Sequence, residues 1–272
     1  MQCSQREEGS RDKRDDINHL YAVKYLTYVI FYLFLSGKFD SMELFKPNLE
    51  IHEILERSWI FKDFPEEDKA QLAGNSSLVY YENKDILFKQ KTRTSHVMYI
   101  VDGLVKIYKE NVSNRPVTLK IISADHFAGL DTLYAEPVYQ YSASSIGDTT
   151  ILIIDFGTFN NLLLDNGRFA LDLIRVLSKE SLYIFTRLNS QTHKQLPGRI
   201  ADVLLYFSEE IYHRYEFEFP LTRNELAELA GTTKESFIRT INEFKHDKII
   251  DLEGRRVKII SLDIVRILSE LG

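Results

Sequence analysis

The hydrophobic period of this chain changes from two to about three and a half, and that change limits its fold more than any other feature. From 78 to 155, apolar and polar residues alternate in the runs SLVYYE, DILFKQ, HVMYIVDG, LVKIYKE, VTLKIIS, YSASSIGD and TILIID. These runs are rich in Val, Ile, Tyr and Thr. Short stretches with Asn, Asp, Gly, Ser or Pro separate them, which is the pattern of strands and turns. Many short strands at this spacing predict a sandwich, barrel or jelly roll. From 168 to 194 there is neither Pro nor Gly. There Leu173, Val176 or Leu177, Ile184 and Leu188 recur near a period of about 3.5 residues, interrupted at Glu180 or Ser181. One long helix is predicted, with a seam that asks for a partner helix; packing on the chain's own strands is the alternative.

Helical spacing also covers 47–76, with Ile51, Ile54 and Leu55, then Trp59, Ile60 and Phe61, then a turn that Pro65 begins. A short helix, GTFNNLLL, precedes the long one. Pro197-Gly198 is expected to break the long helix and mark a domain boundary. Residues 199–213 read as a new amphipathic helix and YEFEFPL as a short strand.

The stretch LTRNELAELAGTTKESFIRTINEFKHDKIIDLEGRRVKII (221–260) carries the chemistry. Thr222 and Glu225 have capping-box spacing, so a helix should start there. Gly231 sits where a tight turn must fit, and Thr232 or Thr233 can cap a second helix. On a wheel of about 100° per residue, Phe237, Ile241 and Phe244 fall on one face. Glu235, Arg239, Asn242 and His246 fall on the other, with Lys234 to one side. An Arg can pair with guanine and a Glu with the cytosine amino group, so this polar face suits a recognition helix in a DNA groove. The strands KIIDLE and RRVKII, joined at Glu253-Gly254, form a hairpin wing whose Arg255 and Arg256 could touch phosphate. A helical hairpin with a solvated outer face is the plainer alternative.

Composition narrows the classes further. The net charge of −6 and the sequence pI near 5.7 argue against indiscriminate nucleic-acid coating, but not against a specific reader with few, well-placed cations. With Cys3 as its one cysteine, the chain can hold neither an intrachain disulfide nor a cysteine-built zinc site. This suits a reducing, cytoplasmic location. No metal site is expected. An enzyme built on the strands would need clustered His and carboxylates, and His96 and His126 show no such spacing.

The N-terminus is the odd part. Residues 1–16 are polar, and 20–35, LYAVKYLTYVIFYLFL, is almost wholly apolar. As a membrane span it is short, and its flanking charges would place the DNA-reading end outside. As a signal peptide it lacks a clean cleavage site. The favoured reading starts translation at Met42 rather than Met1, leaving 1–41 as upstream sequence; an extra helix or an anchor is the remaining choice. No membrane partner is expected.

In this order the elements resemble the Crp/Fnr family of bacterial transcription regulators over 50–265. LTRNELAELAGTTKESFIRTINEFKHDKII is similar to the family's helix-turn-helix signature, HVMYIVDGLVKIYKE to its strand–Gly–strand element, and FAGLDTLY (127–134) lies in the region of its ligand pocket. The resemblance implies an α+β chain. It would have an N-terminal extension (1–46), a double-stranded β-helix or jelly-roll sensor (47–167), a dimerisation helix (168–195) and a winged helix-turn-helix (196–272). It also implies a homodimer on a near-palindromic DNA duplex, with RNA polymerase as partner. The base- or phosphate-contacting positions are Lys234, Glu235, Arg239, Asn242, Thr222, Thr233, Arg255 and Arg256. The helix seam is Leu173, Leu177, Ile184 and Leu188. Ile238 departs from the small residue common at its position, and Glu235 could instead cap the second helix with Thr232.

The resemblance places the effector pocket at Gly129, Leu130, Asp131, Tyr141, Ser142 and Ser144. Relatives that bind cyclic nucleotides carry a Glu for the ribose and an Arg that clamps the phosphate. Neither stands at the matching place here, so tight cAMP binding is not expected. A cysteine-ligated iron–sulfur cluster is not expected either. His96 and His126 are candidate haem ligands, though a lone His is more often a surface residue. The effector is an unidentified small molecule, or absent in a regulator controlled by its abundance.

Overall fold

The computed structural model describes residues 49–110, 116–136 and 138–272. The expected extension 1–46, its apolar run 20–35 and the start at Met42 lie outside the described residues. Among the described residues, no helix is long and apolar enough to cross a membrane.

Helices α1 (Leu49–Arg57) and α2 (Glu66–Gly74) precede the strands. Pro65 stands just outside α2 as its N-cap. The roll is built from β1 (Ser76–Tyr81), β2 (Ile86–Phe88), β3 (His96–Glu110), β4 (Pro116–Ser123), β5 (Phe127–Ala128) and β6 (Ser142–Asp155). All pair antiparallel: β6 with β1, β2 and β3, and β3 also with β4 and β5.

The sequence divides β3 and β6 into two strands each, but both are continuous. The β3–β6 register shifts between Ile100 and Leu104 without ending the ladder. Gly103 makes this bend at φ +93°, where a Cβ would meet the Asp148 carbonyl oxygen at 2.6 Å and Thr149 Cα at 2.8 Å. A bulge thus turns one strand around the roll where a loop was expected.

Period-two alternation gives the roll two cores. Val97, Tyr99, Leu152 and Ile154 face the helices and pack with Leu55, Phe61 and Phe159. Met98, Ile100, Val105 and Ile107 face inward with Phe88, Ile122 and Ala143. The polar end of Tyr99 is satisfied: its hydroxyl donates to Asp125 Oδ1 at 2.8 Å and lies 2.7 Å from Ser58 Oγ.

Short helix α3 (Leu130–Ala135) follows β5, and α4 (Phe156–Asp165) follows β6. The long helix α5 (Gly167–His193) starts where Asn166 accepts a hydrogen bond from the Phe169 amide. Its first turns close the outer core of the roll. Leu173 is 4% exposed there, beside Phe61 and Phe169, and Leu177 packs against the same cluster. Leu173 therefore serves its own chain and is not free for the expected seam, because a buried side chain cannot also meet a partner. On the wheel, Ile174, Phe185, Leu171 and Leu182 form a second apolar stripe, about 100–180° round from Leu173, and are exposed.

Extended backbone at Lys194 ends α5, slightly earlier than the expected break. Pro197 lies in the first turn of the next helix, α6 (Leu196–Leu205), where its missing N–H removes no bond. A π-helical turn, Tyr206–Ile211, leads to β7 (Glu216–Glu218). Then come α7 (Arg223–Leu229), α8 (Lys234–His246), β8 (Ile250–Glu253) and β9 (Arg256–Ile259). The final helix, α9 (Leu262–Leu271), has no counterpart among the expected elements; its Val265 joins the core of Ile200, Leu204, Phe207 and Phe237.

This C-terminal unit docks on the roll. Lys106 Nζ of β3 pairs with Glu225 Oε1 of α7 at 2.6 Å. Thr118 of β4 donates from its amide and its hydroxyl to Glu228 Oε2, at 2.9 and 2.8 Å. The Tyr206 hydroxyl accepts from the Ile121 amide at 3.2 Å and donates to its carbonyl.

Leu173→Ala should lower unfolding stability by about 2–5 kcal/mol in urea titration, since it opens a void in the roll core. A second expectation concerns pH. Burial works to raise the Glu225 carboxyl, but the bonds from Lys106 and Thr222 outweigh it, and the group sits below its ordinary value of 4.5. A depressed carboxylate stabilises the fold above its unfolded value and loses that contribution as pH falls through the folded value. The stability gap between wild type and Lys106→Gln should be full near neutral pH and shrink below about pH 4.5, as followed by urea midpoints across pH.

Candidate nucleic-acid interface and effector cavity

Helix α7 begins with the capping box that the Thr222–Glu225 spacing predicts. The Glu225 amide donates to Thr222 Oγ1 at 3.3 Å, and the Thr222 amide and hydroxyl donate to Glu225 Oε2 at 2.9 and 2.8 Å. Gly231 adopts φ +61°, a left-handed conformation that ends α7 and turns the chain into α8. Thr233, not Thr232, caps α8, accepting from the Ser236 amide at 3.2 Å. Glu235 is thereby released from capping, and its carboxylate has no hydrogen-bond partner among the described residues.

Phe237, Thr240, Ile241 and Phe244 are buried, which fixes α8 in the C-terminal core. Lys234, Glu235, Arg239, Asn242 and His246 are all exposed on its outer side. One face of the helix is thus held rigidly while the other presents donors and acceptors to solvent. The positive end of the helix dipole adds attraction for an anion at Lys234 and Glu235. Thr222 and Thr233 are exposed, and their hydroxyls are already engaged in capping.

The wing is the hairpin β8–β9, with Gly254 in its turn at φ +57°. Arg255 Nε donates to the Phe219 carbonyl at 2.8 Å. Arg256 is turned to Glu216 of β7, donating through Nε at 2.9 Å and through Nη2. This bond holds the Glu216 carboxyl below its ordinary value. Arg223 is a residue that the sequence reading left without a role. Its guanidinium lies 5.6 Å from the Phe219 ring centre and donates to the Gly254 carbonyl, tying the start of α7 to the wing turn.

A cavity of about 510 Å³ lies between the roll and α5. Gly129, Leu130, Asp131 and Tyr141 line it. Ser142 and Ser144 do not. Along β6 they pair with Tyr108 and Lys106, whereas the intervening Ala143 pairs with Ile107, which does line the cavity. Neighbouring residues of a strand point to opposite faces, so these two serines face away. Ser142 Oγ instead accepts from the Gln90 amide at 3.0 Å. His126 lines the cavity, but His96 lies at the start of β3, with Nδ1 2.7 Å from Ser95 Oγ.

Glu180, which breaks the apolar stripe of α5, pairs with Lys120 of β4 at the cavity wall. Arg187, one helical repeat later, donates to the carbonyls of Leu119 in β4 and Leu229 in α7, the latter at 3.1 Å. It touches cavity, roll and reader at once. Its signal in the sequence was a cation on the roll-facing side of α5, masked by the apolar seam around it.

His52, Glu56 and Glu66 bring ligand atoms within 4.8 Å of one another. The ammonium of Lys69 already lies 2.5 Å from Glu56 and 3.2 Å from Glu66, and the first contact lowers the Glu56 carboxyl. The lysine supplies the positive charge that a metal would bring.

Residues 198–266 match the model of the Crp-like helix-turn-helix domain, and residues 78–166 match that of the cyclic nucleotide-binding domain. A CRP-like cAMP-activated global transcriptional regulator of Mycobacterium tuberculosis is 24% identical over 211 residues, covering 76% of this chain and 94% of the relative. FixK2 from Bradyrhizobium japonicum shares the fold with a TM-score of 0.66 at 17% identity, over 71% of this chain and 96% of its own. A CooA variant from Carboxydothermus hydrogenoformans does so with a TM-score of 0.61 at 21% identity, over 76% and 91%. With both domain models matched in the order β-roll then helix-turn-helix, and with relatives that are transcription regulators, the chain belongs to the Crp/Fnr family of transcription regulators.

Proposed function

We propose that this chain is a sequence-specific DNA-binding regulator that reads a near-palindromic operator as a homodimer in the cytoplasm, together with RNA polymerase. The observation that carries this is α8, whose apolar face is buried while Lys234, Glu235, Arg239 and Asn242 stand exposed on the opposite side. Arg239 and Glu235 read base edges, Lys234 and Arg255 hold phosphate, and Asn242 lies further along the groove-facing side. Thr222 and Thr233 position the two helices by capping them. The pair of Arg256 with Glu216 makes it the weakest of these phosphate contacts. The protein acts as a regulator, not as an enzyme.

Dimerisation falls to the outer stripe of α5. Leu171, Ile174, Leu182 and Phe185 are exposed large apolar groups on one side of a 27-residue helix, the arrangement that a second copy would cover. A small effector acts from the cavity, biasing one dimer arrangement over another by binding it better. Arg187 favours this reading, because it joins the cavity wall to α7.

Site selection from random duplex DNA with the purified chain should recover a palindrome with half-sites about one helical turn apart; failure to enrich any sequence, with and without cell extract, would overturn the DNA-reading assignment. Arg239→Ala should weaken operator binding by about 1–3 kcal/mol and relax preference at one base pair. An equal loss on all sequences would make Arg239 a phosphate contact. The double variant Leu182→Ser, Phe185→Ser should sediment as a monomer and lose affinity for the full palindrome while remaining folded by circular dichroism.

A further inference from the structure

The cavity between the roll and α5 has a charge balance that defines the chemistry of its occupant. Its walls are apolar, with Ile107, Leu119 and Ile122 on the roll side and Val176, Leu177 and Ile184 on the helix side. Its volume of about 510 Å³ lies in the range of small-molecule sites. Both of its fixed cations are already engaged: Lys120 by Glu180, and Arg187 by the carbonyls of Leu119 and Leu229. The His126 ring lies 2.9 Å from the Ala124 carbonyl. Against these stand two carboxylates, Asp131 and Glu180, so the fixed charges cancel. Asp131 accepts one bond, from the Tyr141 hydroxyl, and its remaining acceptor capacity is unclaimed among the described residues.

An anion entering this space would meet cations whose charge Asp131 and Glu180 already offset, so it would give up its hydration for no net positive charge. An apolar molecule would lose nothing comparable on leaving water, and a single N–H or O–H on it would find Asp131. We propose that the cavity takes an uncharged, mainly apolar small molecule that presents one hydrogen-bond donor to Asp131. This rests on the reading of the cavity as the effector site, and it gives the chemical class of that effector.

Two fluorescent probes that share a skeleton test it on the full chain. N-phenyl-1-naphthylamine is uncharged and carries one N–H; 8-anilinonaphthalene-1-sulfonate adds an anionic group. The neutral probe should bind at least tenfold tighter than the sulfonate, and cAMP should not displace it. Asp131→Ala should weaken the neutral probe about fivefold or more. Ile184→Trp, which fills the cavity from an exposed helix position, should abolish probe binding, with Leu188→Trp as a second filling variant should the first fail to fold. Lys179→Ala, an exposed position of α5 that lines neither the cavity nor the outer apolar stripe, should leave it unchanged. Equal or tighter binding of the sulfonate, displacement by cAMP, or a signal lost in Lys179→Ala but kept in the filling variants would overturn the inference. Operator selection with the same preparation keeps the two readings apart. Selection that succeeds without neutral-probe binding rejects the cavity assignment alone, whereas probe binding with the expected variant pattern supports it whatever the DNA result.

Discussion

The packing of α5 against the roll is the constraint on which the rest of the structure depends. Leu173 and Phe169 close the outer core of the roll, and further along the same helix Arg187 bridges the carbonyls of β4 and α7. One rigid rod therefore belongs to both halves of the molecule. A helix of 27 residues has enough length to do this only because no Pro or Gly interrupts its interior. Leu173 and Leu177 are consumed within the chain, while Leu171, Ile174, Leu182, Ile184, Phe185 and Leu188 stay exposed.

Glu225 shows how closely local and tertiary structure are joined. The same carboxylate completes the capping box of α7 and pairs with Lys106 of the roll. The cap sets the first turn of the helix, and the ion pair sets where that helix sits. Partly buried, the pair is worth more than an exposed surface bridge would be, and its bonds to Thr222 satisfy the remaining acceptor sites. Glu228, three residues later, repeats the arrangement with Thr118. The docking edge of α7 is thus polar, whereas its inner face, with Leu226 and Ala227, is apolar.

The cavity follows from the same geometry. Where α5 leaves the roll core, the apolar side chains Leu177 and Ile184 and the pair Lys120–Glu180 border a space that neither element fills. Lys120 is paired with Glu180 and Tyr141 with Asp131 at its wall. The outer face of α8 is the opposite case: the side chains of Lys234, Glu235, Arg239 and Asn242 are exposed and have no hydrogen-bond partner among the described residues.

Much of this was legible in the sequence, because it depends on local periodicity and short-range hydrogen bonding. The alternation through the strands, the uninterrupted helix, the Thr222–Glu225 box and the two faces of α8 are each fixed by residues within a few positions of one another. Other features were decided only by tertiary structure. β3 and β6 are continuous because their ladder survives a bulge at Gly103, which a one-strand pattern cannot reveal. Leu173 belongs to the roll rather than to a partner because the wheel gives a stripe but not what covers it. Ser142 and Ser144 missed the cavity because an error of one residue in phase turns a strand side chain to the opposite face. Arg187 and Glu180 gained their roles only when β4 came beside them, since ion pairs and bonds between distant segments have no period to read.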